Sequence, residues 1–327
     1  MFGKLLNHTT DGQTVTLHYE KQTAYLHVLT DTIINVFVPF HTKEHLSKAI
    51  EGGKEQPVSF TLQQDQESLV LSTPALSCRI HDDFKLDFHD KDGNLLCADY
   101  RGRRIPRFTL QESLVELSRK EGHEVNLSDT VDHPVQCVKT LDEGDCIYGL
   151  GDKTGVLNKR YYEYENWNSD IPDPHEDCFK SLYKSIPFFI ILKEKGIYGI
   201  FYDNTFRSYF NFGKENNSYY SFGSTDGNLD YYFMGGSSMP EILTDYTYLT
   251  GRMPLPQKWA LGYHQSRWGY DSEETFRGIA KKLQEHRIPC DAIHFDIEYM
   301  ERYKVFTWDK TRFADAKTLL SDLKKQG

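Results

Sequence analysis

The sequence lacks several features that would each point to a class of protein. No segment approaches the roughly 20 apolar residues that a membrane-spanning helix needs. The first residues, MFGKLLNHTTDGQ, contain neither an apolar core nor a small-residue cleavage site, so we predict no signal peptide. The six cysteines form no CxxC pair, which argues against a structural zinc site. From these absences we expect a cytoplasmic, soluble protein with reduced thiols.

An excess of positive charge is also missing. The 38 basic and 48 acidic residues give a formal net charge of −10 at pH 7. Nucleic acids and anionic membrane surfaces attract basic proteins. We therefore predict that neither is a partner of this chain.

Signatures of nucleotide binding and of serine or cysteine nucleophiles are absent as well. The segment GLGDKTG, residues 149–155, is rich in glycine but fits neither the GxGxxG nor the P-loop pattern. We interpret it as a glycine-rich turn between strands. No GxSxG motif occurs. We predict no cofactor.

Aromatic residues, by contrast, are abundant: 21 Tyr and 20 Phe contribute to an aromatic fraction of 14%, which suits β-structure. Up to about residue 251, short β-branched and aromatic runs alternate with polar residues, as in TVTLHYEK and AYLHVL. Asp92-Gly93 between two such runs indicates a hairpin. Many short strands separated by turns favour an antiparallel sandwich of two large sheets. A helix from Met239 to Leu249, with Pro240 in its first turn, is predicted to follow.

The pattern changes after the segment GRMPLPQK, whose two prolines indicate a domain boundary. We predict a β-sandwich domain over 1–251 and a second domain over 252–327. In the second, WALGYHQ and DAIHFDI read as short strands, each followed by a helical pattern. Ser272 is placed to cap the first helix. Strand–helix–strand–helix order implies parallel pairing, as in the first two units of a (β/α)8 barrel.

Polar and aromatic residues follow each of these two strands, where barrel enzymes carry their sites. Trp268 is either a wall on which a sugar ring stacks or a rim aromatic. Asp296 either accepts hydrogen bonds from substrate hydroxyls or is a capping or salt-bridged residue that follows a buried strand. In a strand, His294, Asp296 and Glu298 share one face and could hold a metal. So short a pattern is often accidental, and we predict no metal site.

Five segments match one known family along much of the chain: YGLGDKTGVLNKR, YYEYENWNSD, LYKSIPFFI, MPLPQKWALGYHQSRWGY and IPCDAIHFDIEYMERYKVFTWDK. They resemble glycoside hydrolase family 31, the α-glucosidase and α-xylosidase family. The resemblance implies that the early strands form a galactose mutarotase-like sandwich. It also implies a retaining mechanism, in which one aspartate attacks the anomeric carbon and another serves as acid and then base.

The resemblance assigns no catalytic residue to this chain. The family's nucleophile lies in a motif resembling W-x-D-M-N-E, which this sequence does not contain. We therefore expect both catalytic aspartates to lie beyond the end of a truncated barrel, and the isolated chain to be inactive. We also expect residues after about Pro256 to be unstable unless complemented, because two strands leave a parallel edge unpaired.

Three residues can be carried over as substrate-binding residues. Asp296 matches the first aspartate of the family's D-I-D-Y-M motif, which holds sugar hydroxyls in the −1 subsite. Trp268 matches an aromatic residue that lines the same pocket. Asp170, in NWNSD, matches a sandwich residue that shapes the +1 subsite. Glu298 departs from the commoner second aspartate of the motif and is expected to support the site.

The resemblance therefore predicts the N-terminal part of a retaining α-glucosidase that hydrolyses terminal α-linked glucose from oligosaccharides. The alternatives are a non-catalytic carbohydrate-binding protein and an α-xylosidase of the same family. An α-linked oligosaccharide or α-glucoside is the expected small-molecule partner. A second copy of the chain or the remaining barrel segment is the expected protein partner.

Overall fold

A computed structural model describes residues 2–44, 47–51, 57–65, 68–102, 134–172, 174–177 and 179–326. Backbone contacts divide the chain into two units, Met1–Arg252 and Met253–Gly327. The strands of the first unit all pair antiparallel. Their bounds are β1 Leu5–Asp11, β2 Thr14–Tyr19, β3 Thr23–Val28, β4 Ile33–Val38, β5 Thr61–Asp65, β6 Ser68–Ser72, β7 Leu76–His81, β8 Leu86–Asp90, β9 Leu95–Ala98, β10 Val135–Thr140, β11 Cys146–Gly151, β12 Glu163–Asn166, β13 Ser185–Leu192, β14 Ile197–Tyr202, β15 Ser208–Asn211, β16 Tyr219–Ser224 and β17 Leu229–Gly236.

These strands form three sheets. An eight-stranded sheet has the order β1-β2-β3-β4-β17-β14-β13-β11. A four-stranded sheet has the order β10-β16-β15-β12, and a five-stranded sheet runs from β5 to β9 in sequence order. A single bridge between Asp99 and Lys139 connects the edges of the two smaller sheets. The predicted antiparallel sandwich is therefore confirmed, but it is built from three sheets and not from the two large sheets that were expected.

The sandwich core follows from the alternation in the sequence. In β2 and β3 every second residue is buried, among them Val15, Leu17 and Leu26, because side chains of a strand point alternately to the two faces. Strands β4, β14 and β16 are buried throughout. Aromatic rings from different sheets fill the interior, as where Phe88 stacks on Phe233 with centroids 4.0 Å apart.

A helix covers part of the large sheet. Helix α1, Met239–Thr250, has a proline in its first turn and buries Ile242 and Leu249. These two side chains share a second apolar cluster with residues of β4, β13, β14 and β17. The predicted helix is confirmed, and it explains why these strands are apolar on both faces.

The hairpin predicted at Asp92-Gly93 joins β8 to β9. The Asp90 carboxylate accepts hydrogen bonds from the backbone N–H groups of Asp92 (2.9 Å) and Asn94 (2.8 Å). Gly93 has a φ of 81°, in the left-handed region that glycine tolerates best. Local turn chemistry is sufficient to specify this connection.

The glycine-rich segment 149–155 is not simply a turn, and this prediction was wrong in part. Its first three residues belong to β11, where the pairing register with β13 shifts between Gly149 and Gly151. Gly149 has a φ of 130°, and a Cβ atom there would lie 2.4 Å from the carbonyl oxygen of Phe188. Glycine is required here because the neighbouring strand approaches too closely for a side chain.

The second unit contains two short parallel strands, β18 His264–Gln265 and β19 Ala292–Ile293. Helix α2, Glu273–Glu285, follows the first strand, and helix α3, Ala316–Lys325, follows the second. The hydroxyl of Ser272 accepts a hydrogen bond from the Thr275 backbone N–H and caps α2, as predicted. The predicted strand–helix–strand–helix order is confirmed.

The strand predicted over WALGYHQ is much shorter than expected. Residues Lys258–Leu261 form a 3-10 helix, and only His264 and Gln265 pair with β19. Trp259 and Leu261 are exposed rather than buried. The reason is that the Ala260 and Gly262 N–H groups bond back to Gln257 and Trp259, which holds the chain in a turn.

Within the described part of the chain, no helix combines the length and apolar character needed to cross a membrane.

Candidate functional site

Trp268 and Asp296 occupy equivalent places in the second unit, each three residues after the last residue of its strand. The two strands are parallel, with His264 opposite Ala292 and Gln265 opposite Ile293. Parallel strands place their carboxyl ends at the same edge of a sheet. The structure therefore brings Trp268 and Asp296 to one edge.

The indole of Trp268 is exposed and hydrogen-bonded. Its side chain is 74% exposed, and its Nε1–H donates a hydrogen bond of 3.1 Å to Oε1 of Glu298. The other carboxylate oxygen of Glu298 accepts from Tyr303 at 3.3 Å and lies 3.5 Å from the Arg312 guanidinium. Glu298 is therefore a positioning residue that fixes the exposed aromatic ring.

Asp296 is half-buried, and among the described residues it forms no hydrogen bond or ion pair. The alternative of a capping or salt-bridged aspartate thus finds no partner in this part of the chain. An ionised carboxylate accepts hydrogen bonds through two oxygens and donates none. At this edge, Asp296 can serve as an acceptor for hydroxyl groups.

The His-x-Asp-x-Glu pattern does not assemble into a ligand set. His294 Nε2 lies 2.9 Å from Nδ1 of His264, and the two rings stack with centroids 5.1 Å apart. Glu298 is occupied by Trp268 and Arg312. Among the described residues, no group of three or more His, Cys, Asp or Glu side chains could hold a metal ion. The sequence did not reveal the histidine pair. Each histidine lies in or just after one of two parallel strands, and the two can be matched only when the pairing of these strands is known.

Asp170 belongs to the first unit, in the segment between β12 and β13. It is exposed. Partial desolvation and the nearby Asp170 carboxylate raise the pKa of Tyr183. The Tyr183 hydroxyl donates to the Ile171 carbonyl at 2.7 Å, and the Ser169 N–H donates to the Leu182 carbonyl at 2.9 Å. These bonds tie the Asp170 segment to the residues just before β13.

Comparison with known families identifies both units. Residues 23–211 match the glycosyl hydrolase 31 N-terminal galactose mutarotase-like domain. Residues 253–327 match the glycosyl hydrolases family 31 TIM-barrel domain. The chain belongs to glycoside hydrolase family 31. The predicted family and the predicted fold, a galactose mutarotase-like sandwich followed by the start of a barrel, are both confirmed.

Similar proteins within family 31 include "Alpha-glucosidase 2" of Bacillus thermoamyloliquefaciens, 36% identical over 91% of this chain and 35% of its own length. "Alpha-xylosidase XylQ" of Lactiplantibacillus pentosus is 35% identical over 55% of this chain and 23% of its own length. A family 31 dextranase of Flavobacterium johnsoniae, solved in complex with glucose, superposes with a TM-score of 0.82 at 30% identity, over 100% of this chain and 38% of that one.

These relatives are glycoside hydrolases, and this chain corresponds to the N-terminal portion of family 31 enzymes. It spans 35% and 38% of the lengths of the Bacillus and Flavobacterium proteins, respectively. The roles of Asp296, Trp268 and Asp170 in binding substrate stay predictions.

Proposed function

We propose that this chain is the N-terminal part of a retaining α-glucosidase that removes terminal α-linked glucose from oligosaccharides. The observation that carries the proposal is the shared sheet edge, where an exposed indole fixed by Glu298 accompanies the carboxylate of Asp296. The 36% identity to a protein named as an α-glucosidase supports the choice of glucose.

Each residue has a role that its chemistry suits. Asp296 accepts hydrogen bonds from hydroxyls of the non-reducing glucose in the −1 subsite. Trp268 presents an aromatic face against which the C–H groups of that ring pack. Asp170 shapes the +1 subsite. We keep the domain limits 1–251 and 252–327 and a cytoplasmic location as parts of this proposal.

The nucleophile and the acid–base aspartate, about 5–5.5 Å apart in a retaining enzyme, are supplied by residues outside this chain. The absence of a W-x-D-M-N-E-like motif from the sequence supports this part of the proposal. The isolated chain is then inactive, although it carries substrate-binding groups.

The first test is the hydrolysis of a chromogenic α-glucoside by the purified chain, with the intact mass of the same sample checked against 38.1 kDa. We expect no turnover at that mass. Turnover at that mass would contradict the proposal that the nucleophile lies outside this chain. Asp296 and Glu298 would then be the candidate nucleophiles.

The second test is co-expression of the chain with the part of the Bacillus relative that it does not cover. We expect hydrolysis of the α-glucoside, lost in Asp296→Asn and retained in the control Asp291→Asn, an exposed aspartate that precedes the same strand. Hydrolysis of an α-xyloside in preference to the glucoside would favour the α-xylosidase alternative, which the similarity to XylQ motivates. Saccharide binding without turnover, both by the chain alone and by the co-expressed combination, would favour a non-catalytic carbohydrate-binding protein.

A further inference from the structure

The first unit contains a cleft of about 740 Å³ whose lining does not include Asp170, the residue of this unit to which the proposed function gives a role. Its walls come from the end of β12, the start of β13, the segment that follows β14, and helix α1. Every residue that lines it belongs to the first unit. Asn166, Trp167, Ser185 and Phe206 are the lining residues on which the following argument depends.

Two polar side chains in this lining are buried without partners. Asn166 is only 6% exposed, and neither its carboxamide nitrogen nor its oxygen has a hydrogen-bond partner among the described residues. The hydroxyl oxygen of Ser185 is likewise buried and unpaired in this part of the chain. Buried polar groups in native proteins are nearly always hydrogen-bonded, so these atoms are available to bond a group that enters the cleft. A hydroxyl-bearing ligand suits a carboxamide, because a hydroxyl both donates and accepts.

Exposed aromatic rings stand beside these polar groups. Trp167 is 54% exposed, and Phe206 is also exposed. The backbone of Trp167 is held in place, since its carbonyl accepts hydrogen bonds from the hydroxyls of Ser169 (2.9 Å) and Ser181. An aromatic face next to hydrogen-bonding groups is the arrangement that accommodates the apolar face and hydroxyls of a sugar ring.

The charge of the lining narrows the ligand further. Asp203 is the one charged side chain among the described residues that line the cleft, and no Lys, Arg or His side chain is among them. A phosphate or carboxylate ligand would meet a carboxylate and no cation, which is unfavourable. The lining therefore disfavours an anionic ligand, and its carboxamide and hydroxyl groups favour a ligand rich in hydroxyl groups.

We propose that this cleft of the sandwich binds a neutral saccharide, with the ring on Trp167 and its hydroxyls on Asn166 and Ser185. The choice of an α-glucan as that saccharide rests on the proposed function. The preference for a neutral, hydroxyl-rich ligand rests on the cleft itself.

The test is a titration of the full chain with maltotriose, followed through the indole N–H signals in two-dimensional NMR spectra, with Trp167→Phe used to assign the Trp167 signal. We expect a saturable shift of this signal. Trp167→Ala and Asn166→Leu should each weaken binding by about tenfold or more, measured by isothermal titration calorimetry because Trp167→Ala removes the indole signal. Asn166→Leu should also raise the melting temperature, because it removes an unpaired buried amide. Trp259→Phe, which changes an exposed tryptophan outside the cleft, serves as the matched control.

Several outcomes would overturn the proposal. The Trp167 signal could stay in place up to about 10 mM maltotriose. Glucose 6-phosphate could bind as tightly as the neutral sugar. Binding could survive both cleft variants and be lost in Asp296→Asn, in which case the cleft proposal fails while the proposed function stands. Conversely, cleft binding that persists in Asp296→Asn supports the cleft whatever the fate of the enzymatic proposal.

Discussion

The two units of this chain differ in how completely their strands are paired and covered. In the first, sheets of eight, four and five strands enclose a continuous aromatic and aliphatic core. In the second, two strands pair over two residues each, and the fully buried apolar residues are Phe276, Phe313 and Leu319. Antiparallel strands find partners through short hairpins, whereas parallel strands need further strands and covering helices.

The exposed side chains of the second unit emphasise the contrast. Phe306 is 98% exposed and Leu255 is 92% exposed. Soluble proteins rarely leave many large apolar side chains so open. We therefore predict that the sandwich is the more stable unit and that the second unit needs contacts other than its own to be stable.

The comparison is tested most strongly by hydrogen exchange of the isolated chain. We expect amides of β14 and β17 to open only with global unfolding, at about 5 kcal/mol or more. Amides from Ala292 to Ile297 should exchange with little protection, because only a two-residue ladder holds this strand. Strong protection across Ala292 to Ile297 in the monomer would contradict the contrast.

The next largest effect is expected at the buried ion pair of the sandwich. Lys139 is fully buried, lies 2.9 Å from Asp99 and donates to the Tyr231 hydroxyl at 3.0 Å. Burial opposes its charge, but the Asp99 carboxylate keeps the pKa of Lys139 well above its ordinary value. Lys139→Met should lower the free energy of unfolding by about 3–5 kcal/mol, because it leaves Asp99 buried and unpaired. Urea unfolding measures this loss.

A matched control is Arg79→Met, which removes an exposed ion pair of 2.7 Å with Asp65 in the same unit. Exposed pairs contribute about 0–1 kcal/mol, so this variant should unfold almost as the parent does. An equal decrease in the free energy of unfolding in the two variants would show that the buried Lys139 pair stabilises the sandwich no more than an exposed pair does.

Helix capping offers a smaller and directly paired test of the two units. Ser272 caps α2 through its side chain, whereas Ser238 before α1 makes no side-chain capping bond. Ser272→Ala should destabilise the second unit by about 1 kcal/mol, and Ser238→Ala should have almost no effect. The effects of both variants are measured as helix content by circular dichroism and as hydrogen exchange in each unit. A larger effect of Ser238→Ala would reverse this expectation.

The smallest expected effect is the acid response of the second unit. Hydrogen bonds from Thr311 and from Arg312 lower the pKa of Asp309 to about 2. A carboxyl group whose pKa is lowered on folding stabilises the protein above its unfolded value and loses this contribution as pH falls toward the folded value. The contribution of Asp309 should therefore disappear between about pH 4 and pH 2. Asp309→Asn should flatten that part of the pH dependence measured by exchange in the second unit.

Much of the fold was predictable, because it depends on local patterns. The alternation in β2 and β3, the Asp92-Gly93 hairpin and the Ser272 cap each follow from residues within a few positions of one another. Motifs likewise indicated the family and placed Trp268 and Asp296 after consecutive strands. The strands predicted over WALGYHQ and DAIHFDI were too long, and the prediction for the glycine-rich segment was wrong in part, because apolar runs and glycines do not reveal how a neighbouring chain segment pairs.

The sequence by itself therefore determined many of the sandwich strands, the helices, the hairpin turn and the family of the chain, since these depend on near neighbours and on recognisable motifs. Only the tertiary structure decided that Lys139 meets Asp99, that His264 meets His294, and that Glu298 holds Trp268. Each of these contacts joins residues 30 or more positions apart. Their geometry is set by strand pairing and by burial, which no local pattern encodes.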